Sequence, residues 1–287
     1  MKTKLTFLGS GTSQGVPMIG CDCPVCKSAD PRDKRLRASV LVEYGDMTML
    51  VDAGPDFRYQ MLRAGVKHLD AILLTHNHKD HTGGLDDVRA FNLLEHKPVN
   101  IYCEKYVEDA LRREYPYVFT EIRYPGAPEW HTHIIDDNPF LVHSNESDDD
   151  LSWEMGVGYH RTRSDAPETR GPVEVTPIRG WHHESKDLSV LGYRFGKIAY
   201  LTDMRVLEDE QLEKLQGLDA VTLNCVKIQA HYSHFSLQMC LDLFEKIGAK
   251  TSYITHISHL LPPHADFDAM LPQGVHPAYD NLMLESD

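Results

Sequence analysis

His76-Asn77-His78-Lys79-Asp80-His81 sets four side chains able to ligate a metal within six positions, and it follows the apolar run Ala71-Ile72-Leu73-Leu74 with only Thr75 between. Residues 71–74 read as a short buried strand, so the cluster leaves the end of a strand. Imidazole suits zinc, iron or manganese, and a carboxylate adds a charged oxygen ligand, so such a cluster can hold two cations. Gly83-Gly84 follows and is read as letting the backbone turn sharply, so that the side chains converge. A polar surface loop rich in histidine is the plain alternative. One histidine would favour that alternative; three with an aspartate, directly after a buried strand, favour metal.

Outward from this segment the chain alternates between strand and helix patterns. Upstream, 4–8 reads as a strand ending at Gly9-Ser10-Gly11, and 9–37 as a long loop. The β-rich runs 38–44 and 47–51 are separated by Gly45-Asp46, a hairpin signature. Asp52-Ala53-Gly54-Pro55 opens a helix with Phe57, Met61 and Leu62 on one face. Downstream, 85–94 reads as a helix, 99–103 as a strand and 104–114 as a helix. Residues 120–172 carry many Pro, Gly and Asp, including Asp148-Asp149-Asp150, without sustained periodicity, and are taken as an insertion or cap. Strands are expected at 173–178, 191–195, 198–201, 220–223 and 251–254, and helices at 208–215 and around Leu237, Leu241, Phe244 and Ile247. Strand runs followed by mixed strands and helices, twice over, suit an α/β sandwich of two packed sheets covered by helices. The expectation is a single domain over 1–287.

Composition bounds the function. The chain has 287 residues, 41% hydrophobic and 25% charged, in the ordinary range for a globular protein. No apolar stretch approaches the roughly 20 residues of a membrane helix, and no long apolar core follows Lys2 and Lys4. A membrane protein is not expected, and a cytoplasmic location is the default. The formal charge is 29 − 43 = −14. That balance repels polyanions and counts against a nucleic-acid partner, though not against a small phosphate ester.

Of the six cysteines, Cys21, Cys23 and Cys26 crowd into Cys21-Asp22-Cys23-Pro24-Val25-Cys26. Three thiolates at this spacing can wrap one zinc, and a closed structural site needs a fourth ligand. Reactive or merely buried thiols are the alternative; no strand–helix setting of the thioredoxin type is present. Cys103, Cys225 and Cys240 are read as small buried apolar residues.

The motifs, in order along the chain, resemble the metallo-β-lactamase superfamily. The likeness rests on the His76–His81 segment, Asp52-Ala53-Gly54 after an early strand, Thr202-Asp203 after the strand at 198–201, and His256 after that at 251–254. It implies that fold, an αββα sandwich of two mixed sheets flanked by helices. It also implies one divalent metal on His76, His78 and a mid-chain histidine, and a second on Asp80, His81 and His256, with Asp203 shared. Zinc, or manganese or iron, is expected. For the mid-chain ligand, Pro177 points to His182, with His183 as the alternative. Two cations about 3.5–4 Å apart lower the pKa of a water between them and stabilise charge on substrate oxygens. Asp80 and His234 are the expected catalytic side chains, His234 as the acid in place of His231; either histidine could instead cap the following helix beside Ser236.

Gly9-Ser10-Gly11-Thr12-Ser13-Gln14-Gly15-Val16-Pro17 with Cys21, Cys23 and Cys26 is similar to one subgroup, the phosphoribosyl cyclic phosphodiesterases of the carbon–phosphorus lyase pathway. That likeness implies a structural zinc on the three cysteines and His259, three residues past His256. The function expected is hydrolysis of a small cyclic or nucleotide-like phosphate ester. A tRNA 3′-processing endoribonuclease, a lactonase or related ester hydrolase, and a zinc-binding protein without activity stand behind it. No Lys/Arg-rich arm of the kind that grips tRNA is present. A homodimer stays open.

Overall fold

The early strands are apolar on both faces, and this decides the layering. The computed structural model describes residues 1–95, 97–122, 124, 126–144 and 171–287. In β1 (Thr3–Gly9), β2 (Ser39–Tyr44) and β3 (Met47–Val51), Val40, Val42, Met49 and Val51 enter one buried cluster while Leu41 and Leu50 enter another. Side chains alternate along a strand, so strands like these must lie between two apolar layers. The hairpin expected at Gly45-Asp46 is present: Tyr44 pairs with Met47, and Gly45 takes φ 60°. After β3 the sheet runs parallel through β4 (Ala71–Leu73), β5 (Val99–Cys103) and β6 (Trp130–Ile134).

The second sheet repeats the plan. β7 (Phe140–Val142) pairs with β8 (Val173–Trp181), and β8, β9 (Ser189–Phe195) and β10 (Ile198–Tyr200) run antiparallel. β11 (Val206–Leu207) borders β8, while β12 (Ala220–Asn224), β13 (Thr251–Thr255) and β14 (Val275–Pro277) continue parallel to β10. β15 (Met283–Ser286) returns to pair with β1 in the first sheet.

Phe7, Val42, Met49, Tyr193, Phe195 and Tyr200 fill the layer between the sheets. Helices Phe57–Ala64 and Lys105–Glu114 cover the first sheet; Leu237–Ile247 and His264–Met270 cover the second. In Leu237–Ile247 the buried residues Leu237, Cys240, Phe244 and Ile247 recur at helical spacing. Its start is capped by Ser236 Oγ, which accepts the Met239 N–H, and its end by Gly248 at φ 66°. Truncating Phe244 to alanine would cost on the order of 3–5 kcal/mol. The architecture is the αββα sandwich of two mixed sheets expected from the motifs. Cys103, Cys225 and Cys240 are buried, as expected.

Three expectations need correction. First, β6 and β7 fall inside the stretch taken as an insertion or cap, so residues 130–142 contribute to the sheets. Only Trp130 of β6 is buried, and a strand with so little apolar surface shows no alternation to detect. Asp148-Asp149-Asp150 and the rest of 145–170 lie outside the described residues. Second, the helix expected at 85–94 divides into a 3-10 turn Leu85–Val88 and a helix Arg89–Glu95. Third, the helix Asp209–Leu212 likewise passes into a 3-10 turn, Glu213–Leu215. Among the described residues no helix is long and apolar enough to cross a membrane.

Candidate metal centre

Residues that follow the ends of β3, β4, β8, β10 and β13 meet at one edge of the sandwich. Crevices beyond the carboxyl ends of parallel strands are where α/β sheets place their ligands. After β4 the chain passes Thr75–Asn77 and forms a single helical turn, Lys79–Thr82, with His78 at its start. The role of the glycines differs from expectation. Gly83 and Gly84 have ordinary negative φ, and close approach is the reason for Gly84: a Cβ there would lie 2.1 Å from the Gly54 carbonyl oxygen. Gly54 is equally constrained, because its Cβ would lie 2.0 Å from the Asp80 oxygen. Ala53 N–H donates to His81 O at 2.8 Å, and Gly84 N–H to Ala53 O at 2.8 Å. The Asp52 loop and the histidine turn are thus docked backbone to backbone.

Three non-glycine residues here adopt left-handed backbone: Asp52 at φ 64°, Asp203 at 59° and His256 at 55°. Each costs on the order of 1–3 kcal/mol, and such outliers gather where function requires them. All three belong to the motifs singled out in the sequence.

Ligand atoms cluster in overlapping groups: His76, His78 and His182; His76, His81 and Asp203; His182, Asp203 and His234; Asp80, Asp203 and His256, the atoms of each group within 4.8 Å of one another. Every residue expected to bind the catalytic metals is therefore brought to one place. His81 Nε2 lies 3.2 Å from Asp80 Oδ2 and 3.1 Å from Asp203 Oδ2. His256 Nδ1 lies 3.1 Å from Asp203 Oδ2. The Nε2 atoms of His76, His81 and His256 are buried without a hydrogen-bond partner. Buried polar atoms are seldom left so, and imidazole nitrogens beside two carboxylates are the donor set divalent cations take. The residues present fit such ions.

Electrostatics divides the cluster. Burial pushes His76 well below the usual histidine range. Burial acts the same way on His81, but the carboxylates of Asp80, Asp203 and Asp52 outweigh it and hold His81 well above. Asp203 is held well below the carboxylate range by His256 and His81 in spite of burial.

Of the two mid-chain histidines the structure brings in His182, which is 4% exposed. Its Nε2 lies 3.3 Å from His78 Nδ1, and its Nδ1 donates to Ser233 O at 2.8 Å. His183 stacks on the His182 ring (4.8 Å, 13°) but pairs with Asp187 at 2.8 Å and joins none of the ligand groups among the described residues. His234 is 9% exposed, lines the cavity over the cluster and places Nδ1 3.7 Å from Asp203 Oδ1. Burial pushes it down to about 2. Neither His234 nor His231 caps the following helix, which Ser236 does.

The cysteine segment forms a second group with His259, again within 4.8 Å. Cys21 Sγ and Cys23 Sγ lie 3.3 and 3.5 Å from His259 Nδ1. Hydrogen bonding from Cys26 N–H and His259 lowers Cys23 to about 6, while burial raises Cys26 to about 11. The loop holds one helical turn, Pro24–Lys27, capped by Cys23 Sγ.

Several supporting residues carry no signal in the sequence. Thr75 donates its N–H and hydroxyl to the two oxygens of Asp52, at 2.8 and 2.9 Å. The Asn224 side-chain amide pairs with both backbone groups of Met204, at 2.8 and 3.0 Å, and so fixes the turn that bears Asp203. Thr12, Ser13, Gln14, Tyr232 and Ser258 line the cavity. Thr75 could have been noticed by its place before His76, and Thr12, Ser13 and Gln14 stand in the Gly9–Pro17 motif without a role assigned to them.

Comparison with known proteins agrees with this geometry. A family model for the β-lactamase superfamily domain matches residues 47–257. An octanoyltransferase of Porphyromonas gingivalis is 36% identical over 278 residues, which is 96% of this chain and 50% of that protein, so the chain spans half of that relative's length. A crystal structure described as a new diphosphatase from the PhnP family superposes with TM-score 0.82 at 37% identity, covering 100% of this chain and 98% of the other. Human tRNase Z, short form, shares the fold at TM-score 0.63 and 18% identity, with 98% of each chain covered. With the family match running from β3 to just past His256, the chain belongs to the metallo-β-lactamase superfamily and carries its hydrolase fold.

Proposed function

We propose that this hydrolase is a dinuclear, metal-dependent phosphodiesterase acting on a small phosphate ester. His76, His78 and His182 would hold one divalent cation, and Asp80, His81 and His256 the other, with Asp203 between them. A third, structural zinc would sit on Cys21, Cys23, Cys26 and His259. When bound, the catalytic pair would polarise a phosphoryl oxygen and make water a nucleophile at neutral pH. The chain's own residues aim that chemistry. Asp52 fixes the tautomer and orientation of His81, the Asn224 amide holds the Asp203 turn, and the Ser233 carbonyl orients His182. His234, in the cavity wall, is positioned to hydrogen-bond the leaving oxygen.

The carrying observation is that His76, His81 and His256, each with a buried Nε2 that makes no hydrogen bond, fall in ligand groups that share Asp203. The 37% identical diphosphatase supports phosphate-ester chemistry over a lactonase. A net charge of −14 stands against tRNA as substrate. Hydrolysis of bis(p-nitrophenyl) phosphate by metal-analysed protein tests the reading. Activity should follow occupancy of two exchangeable sites, with a further zinc resisting mild chelation. Full activity with one bound metal, or none on any phosphodiester with both sites filled, would overturn it.

A further inference from the structure

The cavity over the cluster has a volume of about 540 Å³, within the range of small-molecule sites. Beyond the ligand side chains, Ser258 and Leu260 from the loop after β13 line it together with two facing walls. Thr12, Ser13 and Gln14 come from the loop after β1, and His231 and Tyr232 from the loop between β12 and the helix Leu237–Ile247. The two walls differ in chemistry.

The first wall offers hydroxyls and an amide. The side chains of Thr12, Ser13 and Gln14 make no hydrogen bond to any described residue, although their backbone is held. Thr12 N–H donates to Ile257 O at 3.1 Å, and Gly15 N–H to Thr12 O at 2.8 Å. A fixed loop that presents unspent polar groups to a cavity suits a ligand with hydroxyls of its own. The second wall offers a ring. Tyr232 is 76% exposed, yet its orientation is braced by stacking on His231 (4.7 Å, 29°) and on His183 (5.9 Å, 17°). An open aromatic side chain held in place is a stacking surface, and every nucleobase has a face to match it. No lysine or arginine among the described residues lines the cavity.

We infer that one ester arm of the substrate is a nucleoside, its base stacked on Tyr232 and its ribose hydroxyls bound by Thr12, Ser13 and Gln14. This deepens the phosphodiesterase reading and rests on it. Three methyl phosphodiesters test it with the metal-loaded protein: those of adenosine 5′-phosphate, ribose 5-phosphate and 2′,3′-dideoxyadenosine 5′-phosphate. Tyr232→Ala should lower the adenosine-to-ribose ratio of kcat/KM by roughly five- to hundredfold, the range for loss of one base stack, and Tyr232→Phe should keep it. Ser13→Ala combined with Gln14→Ala should lower the adenosine-to-dideoxyadenosine ratio by roughly two- to tenfold, as loss of neutral hydrogen bonds implies. Ratios unmoved by these variants overturn the inference. If the wild type hydrolyses none of the three esters, the phosphodiesterase reading fails by itself. Calorimetric binding of the adenosine ester, weakened by Tyr232→Ala, would then still uphold the nucleoside site, and absence of binding would end it.

Discussion

The Asp52 carboxylate lies 2.6 Å from Nδ1 of His81, and neither side chain reaches solvent. Thr75 donates its N–H and hydroxyl to the same carboxylate, so Asp52 is fixed in place to hold one imidazole. Its own left-handed backbone shows how closely the position is specified. Outer partners of metal-binding histidines are typically worth about 10- to 100-fold in metal affinity or activity. Asp52→Asn should therefore weaken the cation site at Asp80, His81 and His256 by about that factor, read by metal titration alongside kcat. Unchanged affinity and turnover would show that the contact is only structural.

Asp80→Ala and Asp203→Ala should each abolish nearly all hydrolysis while the far-ultraviolet circular dichroism stays close to the wild type. Asp203 belongs to three of the ligand groups in this cluster and Asp80 to one, so Asp203→Ala should also lower metal content further. Near-normal turnover in either variant would refute the sharing of Asp203 between two cations.

His256 and His259 stand three residues apart and face different ligand groups. Cys23→Ser and His259→Ala should lose the same zinc and lower Tm in parallel, since each takes one of four ligands from a closed site whose binding is tied to folding. Activity should fall only in part. His256→Ala should do the reverse, with hydrolysis lost and the thiolate-bound zinc kept. Unaltered zinc content and melting in Cys23→Ser would remove the cysteine group from the list of metal sites.

His68 is held between Glu95 and Asp70, at 2.8 Å to each. Burial lowers its pKa, but the hydrogen bonds to Asp70 and Glu95 prevail and raise it from 6.5 to about 9. A group with a raised folded-state pKa lends stability that is complete below its unfolded value and is lost as pH climbs through the folded one. His68→Gln should therefore be about 1–2 kcal/mol less stable than the wild type near pH 6, after allowance for partial exposure. The gap should close between pH 7 and 10. Denaturation curves for both proteins across that range decide it, and a gap independent of pH would rule out the linkage.

The clustering of the candidate ligands was legible because most sit in short runs, or directly after apolar strands, where the chain order itself brings them to a strand end. His182 and His183 show where that ends. Both follow the end of β8 and their rings stack, so spacing from Pro177 could not separate them; their partners do, His78 for one and Asp187 for the other. β6 escaped notice because it is an edge strand held by its pairing with β5, rather than by its own apolar content. Tyr232 and Ser13 take their meaning from a cavity that exists only once two distant loops meet.

The left-handed conformations of Asp52, Asp203 and His256 set stability against use. Glycine would relax the backbone at each position, so a library screened for heat resistance alone should drift toward glycine there and emerge inert. Natural selection must hold the opposite line, keeping a carboxylate or imidazole where the backbone would rather have none. The three positions thus form a ready assay of selective pressure: their side chains persist in a lineage only while the centre is in use.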